Sequence, residues 1–567
     1  MKFLQFRFLT YSAAILVFAA SFDVAQTAAR PVFDRKSNFD AQHYIVRVSF
    51  DRANKKVFGD TTVQVKPLAA GFREIELDAV ELAFESVKLD PAGTDLKFTT
   101  TPKTVKVTLD KAYGPNDLIS IRFKYSATPN KGVYFVDGST VSGEEQHSAQ
   151  IWSQGEAEEA RHWIPSFDFP SDKATSEEYI TAETGLTVVG NGEMLDKADN
   201  GNGTTTWHYK MPVPHSTYLI SFVIGKYSRV DDKYGDIPLG FYVYPGKEKT
   251  GQKAFGDTKR MIAVYEKLTG VKFPYNKYDQ TVVSSFQFGG MENITATTML
   301  DTEILLADFD FGKDVTTDLV SHELAHSWFG DLVTCRNWAE LWLNEGFATY
   351  MEAAYREDIN GHDDYMRKVK NDAREFLADD AVTTRRYGLY NLLAGDVDRL
   401  FEVSAVTYNK GGAVLYQLRE EVGKEAFWKA INAYLNKHKF ANVESGDLRS
   451  AMEQASGKDL GWFFDEWVYH SGAPKLSVHQ TYNPRTKMLK LTVSQLQKSD
   501  AIVPAAFRLP VKVSVKTAAG WEEKDIVVSK RLETFSIRTA KRPTEVVLDK
   551  DEKIVLKTVK MLPMIVL

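Results

Sequence analysis

The sequence predicts a multidomain α+β protein. It has an N-terminal antiparallel β domain, a mainly helical middle domain and a small C-terminal β-sandwich. Three observations carry this: apolar residues repeat with period two up to about residue 228, with helical spacing from Lys253 to about Trp467, and with period two again after Pro474. A chain of 567 residues also exceeds the usual size of one domain.

The first residues stand apart. Lys2 and Arg7 are the only charges before Asp23, and an apolar stretch from Ala13 to Ala20 runs into the small residues Ala19, Ala20 and Ser21. Residues 1–28 therefore read as a secretory signal peptide, cleaved after Ser21 or near Ala28. The alternative is an uncleaved anchor, but the apolar run is short for the ~30 Å of a hydrocarbon core. The expectation is export to a periplasm or to the medium, with no stable membrane insertion after cleavage.

Residues 30–228 form the expected β domain. Tyr44, Val46, Val48 and Phe50 alternate with Ile45, Arg47 and Ser49, and Ile119, Ile121, Phe123 and Tyr125 alternate with Ser120, Arg122 and Lys124. Such strands are half-buried. Residues 229–472 form the expected helical domain, with long helical stretches at Ala353–Asp379 and Gly411–His438 and a short β segment around Gln280–Phe288. Gly472-Ala473-Pro474 marks a boundary. In residues 473–567, Leu489, Leu491 and Val493, then Val511, Val513 and Val515, restore the strand pattern.

Hydrophobic residues make up 43% and charged residues 26%, enough for sizeable cores, and the net charge of −6 argues against a nucleic-acid partner. The one cysteine, Cys335, permits no intramolecular disulfide and no thiolate metal site of its own, and reads as a small buried hydrophobe.

The strongest chemical signal is His322-Glu323-Leu324-Ala325-His326. Positions i and i+4 share a helix face, so His322 and His326 can present two imidazole nitrogens to one Zn²⁺, with Glu323 beside them for work on a water. Asp314, Thr316 and Thr317 offer capping groups at the start of this helix, and Gly330 can stop it. Glu345 lies 19 positions after His326 in Trp342-Leu343-Asn344-Glu345-Gly346. Two histidines and one carboxylate leave an open fourth position, as a catalytic zinc site requires. Glu352, two turns beyond Glu345, reads either as a hydrogen-bond partner of a ligand histidine or as an ordinary exposed helix carboxylate.

These residues, together with Gly289-Gly290-Met291-Glu292-Asn293 and Trp328 to Thr334, resemble the M1 family of zinc aminopeptidases. The likeness covers most of residues 40–475, and Gly290 stands where many members carry alanine. The resemblance implies a thermolysin-like (gluzincin) catalytic domain and one zinc per chain, held by His322, His326 and Glu345. It implies peptide substrates with a free N-terminus, whose first bond is hydrolysed with Glu323 as general base. In this family Glu292 grips the substrate α-ammonium, and the glycines beside it let backbone groups approach the substrate, so Gly289, Gly290, Met291 and Asn293 are implied substrate-binding residues. Ser153-Gln154-Gly155-Glu156-Ala157 matches a second amine-binding segment and implies the same role for Glu156. Thr407-Tyr408-Asn409-Lys410-Gly411 matches the family's Y-x-K-G and implies that Tyr408 hydrogen-bonds the oxyanion.

The family often ends in a large helical domain. About ninety residues follow Pro474, so the expectation is a form lacking that domain, with an open cleft or one covered by another subunit of a homo-oligomer. The family's lipid-epoxide activity needs an aspartate and a tyrosine where this chain has Leu400 and Val403, which argues against it. Two rival readings remain: a thermolysin-like endopeptidase, which needs neither Glu292 nor Glu156, and a non-catalytic peptide-binding relative.

Overall fold

The computed structural model describes residues 30–384 and 386–567, so the signal-peptide expectation for residues 1–28 lies outside the described residues. No helix among the described residues is long and apolar enough to cross a membrane.

The N-terminal β region is built on an eight-stranded sheet. Phe39–Asp51 lies near its centre, paired with Lys56–Pro67 on one side and Ala174–Glu183 on the other. The alternation seen in sequence is realised: Tyr44, Val46 and Val48 are buried while their neighbours face outward. The pairing of Phe39–Asp51 with Ala174–Glu183 is parallel, which departs from the all-antiparallel expectation. A period-two pattern fixes which face is buried but not the direction of the neighbouring strand. A four-stranded sheet contains Gln150–Ser153, and the chain leaving that strand carries Gln154 and Glu156 toward the helical region.

Strand structure continues past residue 228 into a mixed five-stranded sheet of Ser228–Tyr234, Ile237–Val243, Tyr278–Val283, Ala296–Leu300 and Gly290–Met291. Helices follow at Lys313–Ala325, Trp342–Asn360, His362–Val382, Gly411–Val422 and Lys424–Lys437. The two long helical stretches are thus each interrupted. Gly361 (φ 88°) separates one pair and Gly423 (φ 92°) the other, both in backbone conformations that only glycine adopts cheaply. The residues after Pro474 form seven strands in a four-stranded and a three-stranded sheet, with Leu489, Leu491, Val493, Val511, Val513 and Val515 all buried.

The capping expectation for Lys313–Ala325 is corrected. Gly312 is the N-cap and no side chain caps the helix; Thr316 Oγ1 donates to Glu303 O, and Asp314 pairs with Arg356 and Arg367. The helix also ends at Ala325, before Gly330, which sits in the turn beyond it.

A buried polar chain ties the eight-stranded sheet to the segment that carries Glu292. Glu178 accepts from Asn191 N (2.8 Å), and Asn191 Nδ2 donates to Ile294 O (2.8 Å). Burial pushes the Glu178 carboxyl up to about 8, with the Asn191 amide and Lys277 opposing. A carboxyl raised in the folded state stabilises below its unfolded pKa, and that contribution is lost as pH rises through the folded value. Glu178→Gln keeps an acceptor for Asn191 N, so its Tm relative to the unsubstituted protein is expected to climb between pH 5 and pH 8. Thermal melts across that range check this; an offset independent of pH would contradict it.

Candidate active site

The helix Trp342–Asn360 is buried continuously from Trp342 to Arg356, apolar on nearly every face, as a central core helix must be. It packs against Lys313–Ala325, and this places Glu345 opposite the two histidines. Glu345 Oε2 lies 3.2 Å from His322 Nε2 and 3.4 Å from His326 Nε2. The other ring nitrogens are engaged: His322 Nδ1 with Glu352 Oε1 at 2.7 Å, and His326 Nδ1 with Phe329 O at 2.9 Å. Stacking of Phe329 on Phe347 (4.3 Å) fixes the turn that supplies this carbonyl. Glu352 is buried, so the exposed-carboxylate reading does not apply.

These contacts test whether the donor set fits a metal ion. Both Nε2 atoms and one carboxylate oxygen converge within 4.8 Å of one another. Zinc bonds of ~2.0–2.2 Å in tetrahedral geometry put ligand atoms roughly 3.3–3.6 Å apart, so the separations suit the ion. Tautomers are set by partners outside the triad, as zinc-ligating histidines require. The charge suits it as well. Burial raises Glu345, but the two imidazoles outweigh burial and hold it down at about 2. Burial lowers His322, but Glu345 and Glu352 outweigh that and lift it to about 9. The carboxylate field that favours a proton on His322 favours a metal cation in the proton's place.

Glu323 projects from the same helix into the cavity. Burial pushes it up to about 8, against the pull of the two histidines. Gly290 passes over it: a Cβ at this position would fall 2.3 Å from the Glu323 carboxylate. Glu292 and Glu156 face the site from two segments far apart in sequence, and each keeps a buried Oε1 without a hydrogen-bond partner. One oxygen of each, with one of Glu345, lie within 4.8 Å of one another. Burial raises both carboxyls; Glu292 adds to the effect on Glu156, while His326 opposes it at Glu292. Gly155 permits the approach of Glu156, because a Cβ there would lie 2.1 Å from Tyr218 O.

Tyr408 sits in a π-helical turn, Val406–Lys410, with its ring stacked on His322 (5.9 Å, 18°). A third glycine contact brings it there. Gly411 crosses Gly346 so closely that a Cβ on Gly411 would lie 2.8 Å from Gly346 Cα. The residue after Glu345 and the last residue of the Tyr-x-Lys-Gly segment thus set the spacing of the two helices. Lys410 is buried and donates to His470 O (2.9 Å), and burial drags its pKa down to about 7.

Glu156, Gly289, Gly290, Glu292, His322, Glu323, His326, Glu345, Glu352 and Tyr408 all line one cavity of about 570 Å³. Met291 and Asn293 do not. Both side chains are buried, Met291 Sδ accepting from Gln154 Nε2 and Asn293 Nδ2 donating to Thr298 Oγ1, so neither side chain lines the cavity. Sequence reasoning missed the wall formed by Asp318, Arg356, Lys368, Asp372 and Asn409. Lys368 and Asp372 carried only an i,i+4 charge pattern, which is common on solvated helix faces.

Fold and site together define a cavity in which His322, His326 and Glu345 could hold a metal ion, with an adjoining carboxylate pair. Residues 253–467 match the Peptidase family M1 domain and residues 40–219 the Peptidase M1 N-terminal domain, together well over half of the chain. The chain belongs to peptidase family M1. It is 28% identical over 484 residues to Aminopeptidase 2 of Candida albicans, covering 83% of this chain and 50% of that protein. It is 30% identical over 410 residues to Probable aminopeptidase 2 of Sulfurisphaera tokodaii (71% and 51%) and 33% identical over 338 residues to Aminopeptidase N of Streptomyces lividans (57% and 38%). The chain spans about half the length, or less, of these relatives.

The Gly346–Gly411 crossing yields a direct test. Gly411→Ala has to push two backbones apart. It is expected to cost about 1–3 kcal/mol of stability by overpacking and, by displacing Tyr408, to lower turnover on the order of 100-fold. Thermal melts and steady-state kinetics read both, and a variant with unchanged kcat would contradict this account of the crossing.

Proposed function

We propose that the protein is a zinc-dependent aminopeptidase that hydrolyses the first peptide bond of substrates with a free N-terminus. One observation carries the reading: Glu292 and Glu156 each hold a buried carboxylate oxygen without a hydrogen-bond partner beside the His322–His326–Glu345 triad, Glu292 Oε1 reaching only His326 Nδ1 at 4.0 Å. A buried carboxylate oxygen without a hydrogen bond is costly, and a substrate ammonium supplies the missing donor. An endopeptidase has no use for that pair.

In this reading His322 Nε2, His326 Nε2 and Glu345 hold the metal. When bound, zinc supplies Lewis-acid polarisation of the scissile carbonyl and makes a water more acidic. Glu292 and Glu156 accept hydrogen bonds from the substrate α-ammonium and fix the first carbonyl over the site. Glu323 takes a proton from the attacking water and delivers it to the leaving amide nitrogen. Tyr408 donates its hydroxyl proton in a hydrogen bond to the carbonyl oxygen as negative charge develops there. Anchoring of the amine favours release of one residue at a time over internal cleavage.

The buried alternation on both C-terminal sheets supports a small β-sandwich after residue 473. The apolar leader supports export as the destination.

A panel of aminoacyl-arylamides, run with and without a zinc chelator, tests the activity. Free aminoacyl substrates are expected to release arylamine in a chelator-sensitive manner, and their N-acetylated forms are not. Cleavage of N-blocked peptides instead would assign the protein to the endopeptidases, and no cleavage of either would favour the peptide-binding relative. Glu292→Gln is expected to lose at least ~30-fold in kcat/KM, the cost of removing one member of a buried charge pair. Tyr408→Phe is expected to lose roughly 100–1000-fold in kcat with little change in KM, since its donor acts on charge that develops only in the transition state.

A further inference from the structure

We propose that Lys368 is a positioning residue that couples the metal ligand His322 to the turn carrying Tyr408. The inference rests on the zinc aminopeptidase reading and adds a residue to it. A continuous chain of polar contacts runs along one wall of the cavity. His322 Nδ1 meets Glu352 Oε1 at 2.7 Å, and Lys368 Nζ meets Glu352 Oε2 at 2.9 Å. Lys368 Nζ also donates to both oxygens of Asp372, at 2.7 and 2.9 Å. Asn409 Nδ2, next to Tyr408, donates to Asp372 Oδ1 at 3.3 Å and to Glu375 Oε2 at 2.9 Å. The chain thus joins the helix Lys313–Ala325, the helix Trp342–Asn360, the helix His362–Val382 and the π-helical turn.

Lys368 is the pivot because its ammonium lies between two buried carboxylates. The side chains of Lys368, Glu352 and Asp372 are 11%, 10% and 8% exposed. The other buried cation on this wall cannot replace it: Arg356 is committed to Asp318 at 2.7 and 2.8 Å and to Asp314 and Asp364. Without the Lys368 charge, Glu352 and Asp372 lose the cation between them, a strain that proteins relieve by moving a side chain. If Glu352 moves, the orientation of His322 is lost. If Asp372 moves, Asn409 and the Tyr408 turn lose their buried anchor and keep only the exposed bond to Glu375. A lysine that served only the packing of the helix His362–Val382 would affect neither.

The test uses the full chain loaded with zinc and four variants: Lys368→Met, which keeps the stem, Lys368→Arg, which keeps the charge, Asn409→Ser, and the Lys368→Met/Asn409→Ser double variant. Zinc affinity is read by competition with a chromogenic chelator, and kcat and KM are read on an aminoacyl-arylamide at saturating zinc. Lys368→Met is expected to bind zinc roughly 10- to 100-fold more weakly, as when partners of ligand histidines are removed. Its kcat is expected to fall at least ~10-fold with KM within about twofold, the pattern of lost transition-state stabilisation. Lys368→Arg is expected to recover most of both. Asn409→Ser is expected to lower kcat at least ~5-fold in the wild-type background and to have no further effect in Lys368→Met, the non-additivity of linked residues. A Lys368→Met protein with a lower Tm but wild-type zinc affinity and kcat would overturn the proposal. If Lys368→Met does not fold, Asn409→Ser alone decides, and wild-type kcat in that variant overturns the coupling. Failure of the wild-type protein to cleave any arylamide would count against the aminopeptidase reading, while the zinc-affinity comparison would still judge Lys368.

Discussion

Glu156, Glu292, Glu323 and Glu345 are all at least nine-tenths buried around one cavity, with two imidazoles as the nearest compensating groups. Leaving water is expensive for carboxylates, and low dielectric strengthens their mutual repulsion. Burial pushes three of the four up, and only Glu345, between the histidines, is held down. The excess of negative charge is matched by two cations of the proposed chemistry: a divalent metal at the triad and an ammonium at the Glu156–Glu292 pair. Stability and function meet at this point, because the arrangement that is costly when empty is the one that selects its occupants.

The surrounding fold holds these carboxylates against one another. Each arrives on a different element: Glu156 from the end of a strand in the β region, Glu292 from the segment beside the five-stranded sheet, Glu323 and Glu345 from two packed helices. Close backbone contacts set the spacing, with Gly155 against Tyr218 and Gly346 against Gly411. The chain from Glu178 through Asn191 to Ile294 fastens the β region to the Glu292 segment. Neither the β region nor the helices alone would complete the site, since Glu156 comes from the β region, Glu292 from the segment beside the five-stranded sheet, and Glu323 and Glu345 from the helices.

Much of this was legible in the sequence because the chemistry is written in short spacings. His322, His326 and Glu345 were readable as a ligand set from helix periodicity and donor type, and Tyr44, Val46 and Val48 from strand alternation. Family resemblance, rather than any local pattern, pointed to Glu156 and Tyr408, which meet the triad only through long-range packing. The parallel pairing of Phe39–Asp51 with Ala174–Glu183 left no mark, because alternation does not encode strand direction. Gly361 and Gly423 sat inside strong helical patterns, and only their φ values reveal the breaks. Met291 and Asn293 share a motif with Glu292, and the motif does not reveal that their side chains are buried away from the cavity. Lys368 was hidden for a similar reason: its spacing from Asp372 is that of an ordinary surface pair, and its burial follows from the packing of the neighbouring helices.

The central claim is that the three-residue set, and not the neighbouring carboxylates, is the metal site. Diffraction from crystals of the zinc-loaded protein, with data collected on both sides of the zinc absorption edge, tests it most directly. The account predicts one strong anomalous peak bonded at about 2.0–2.2 Å to His322 Nε2, His326 Nε2 and a Glu345 oxygen, with Glu156 and Glu292 left free. A peak held instead by Glu156, Glu292 and Glu345, which also lie close enough to share an ion, would contradict it and remove the amine-binding role from that pair.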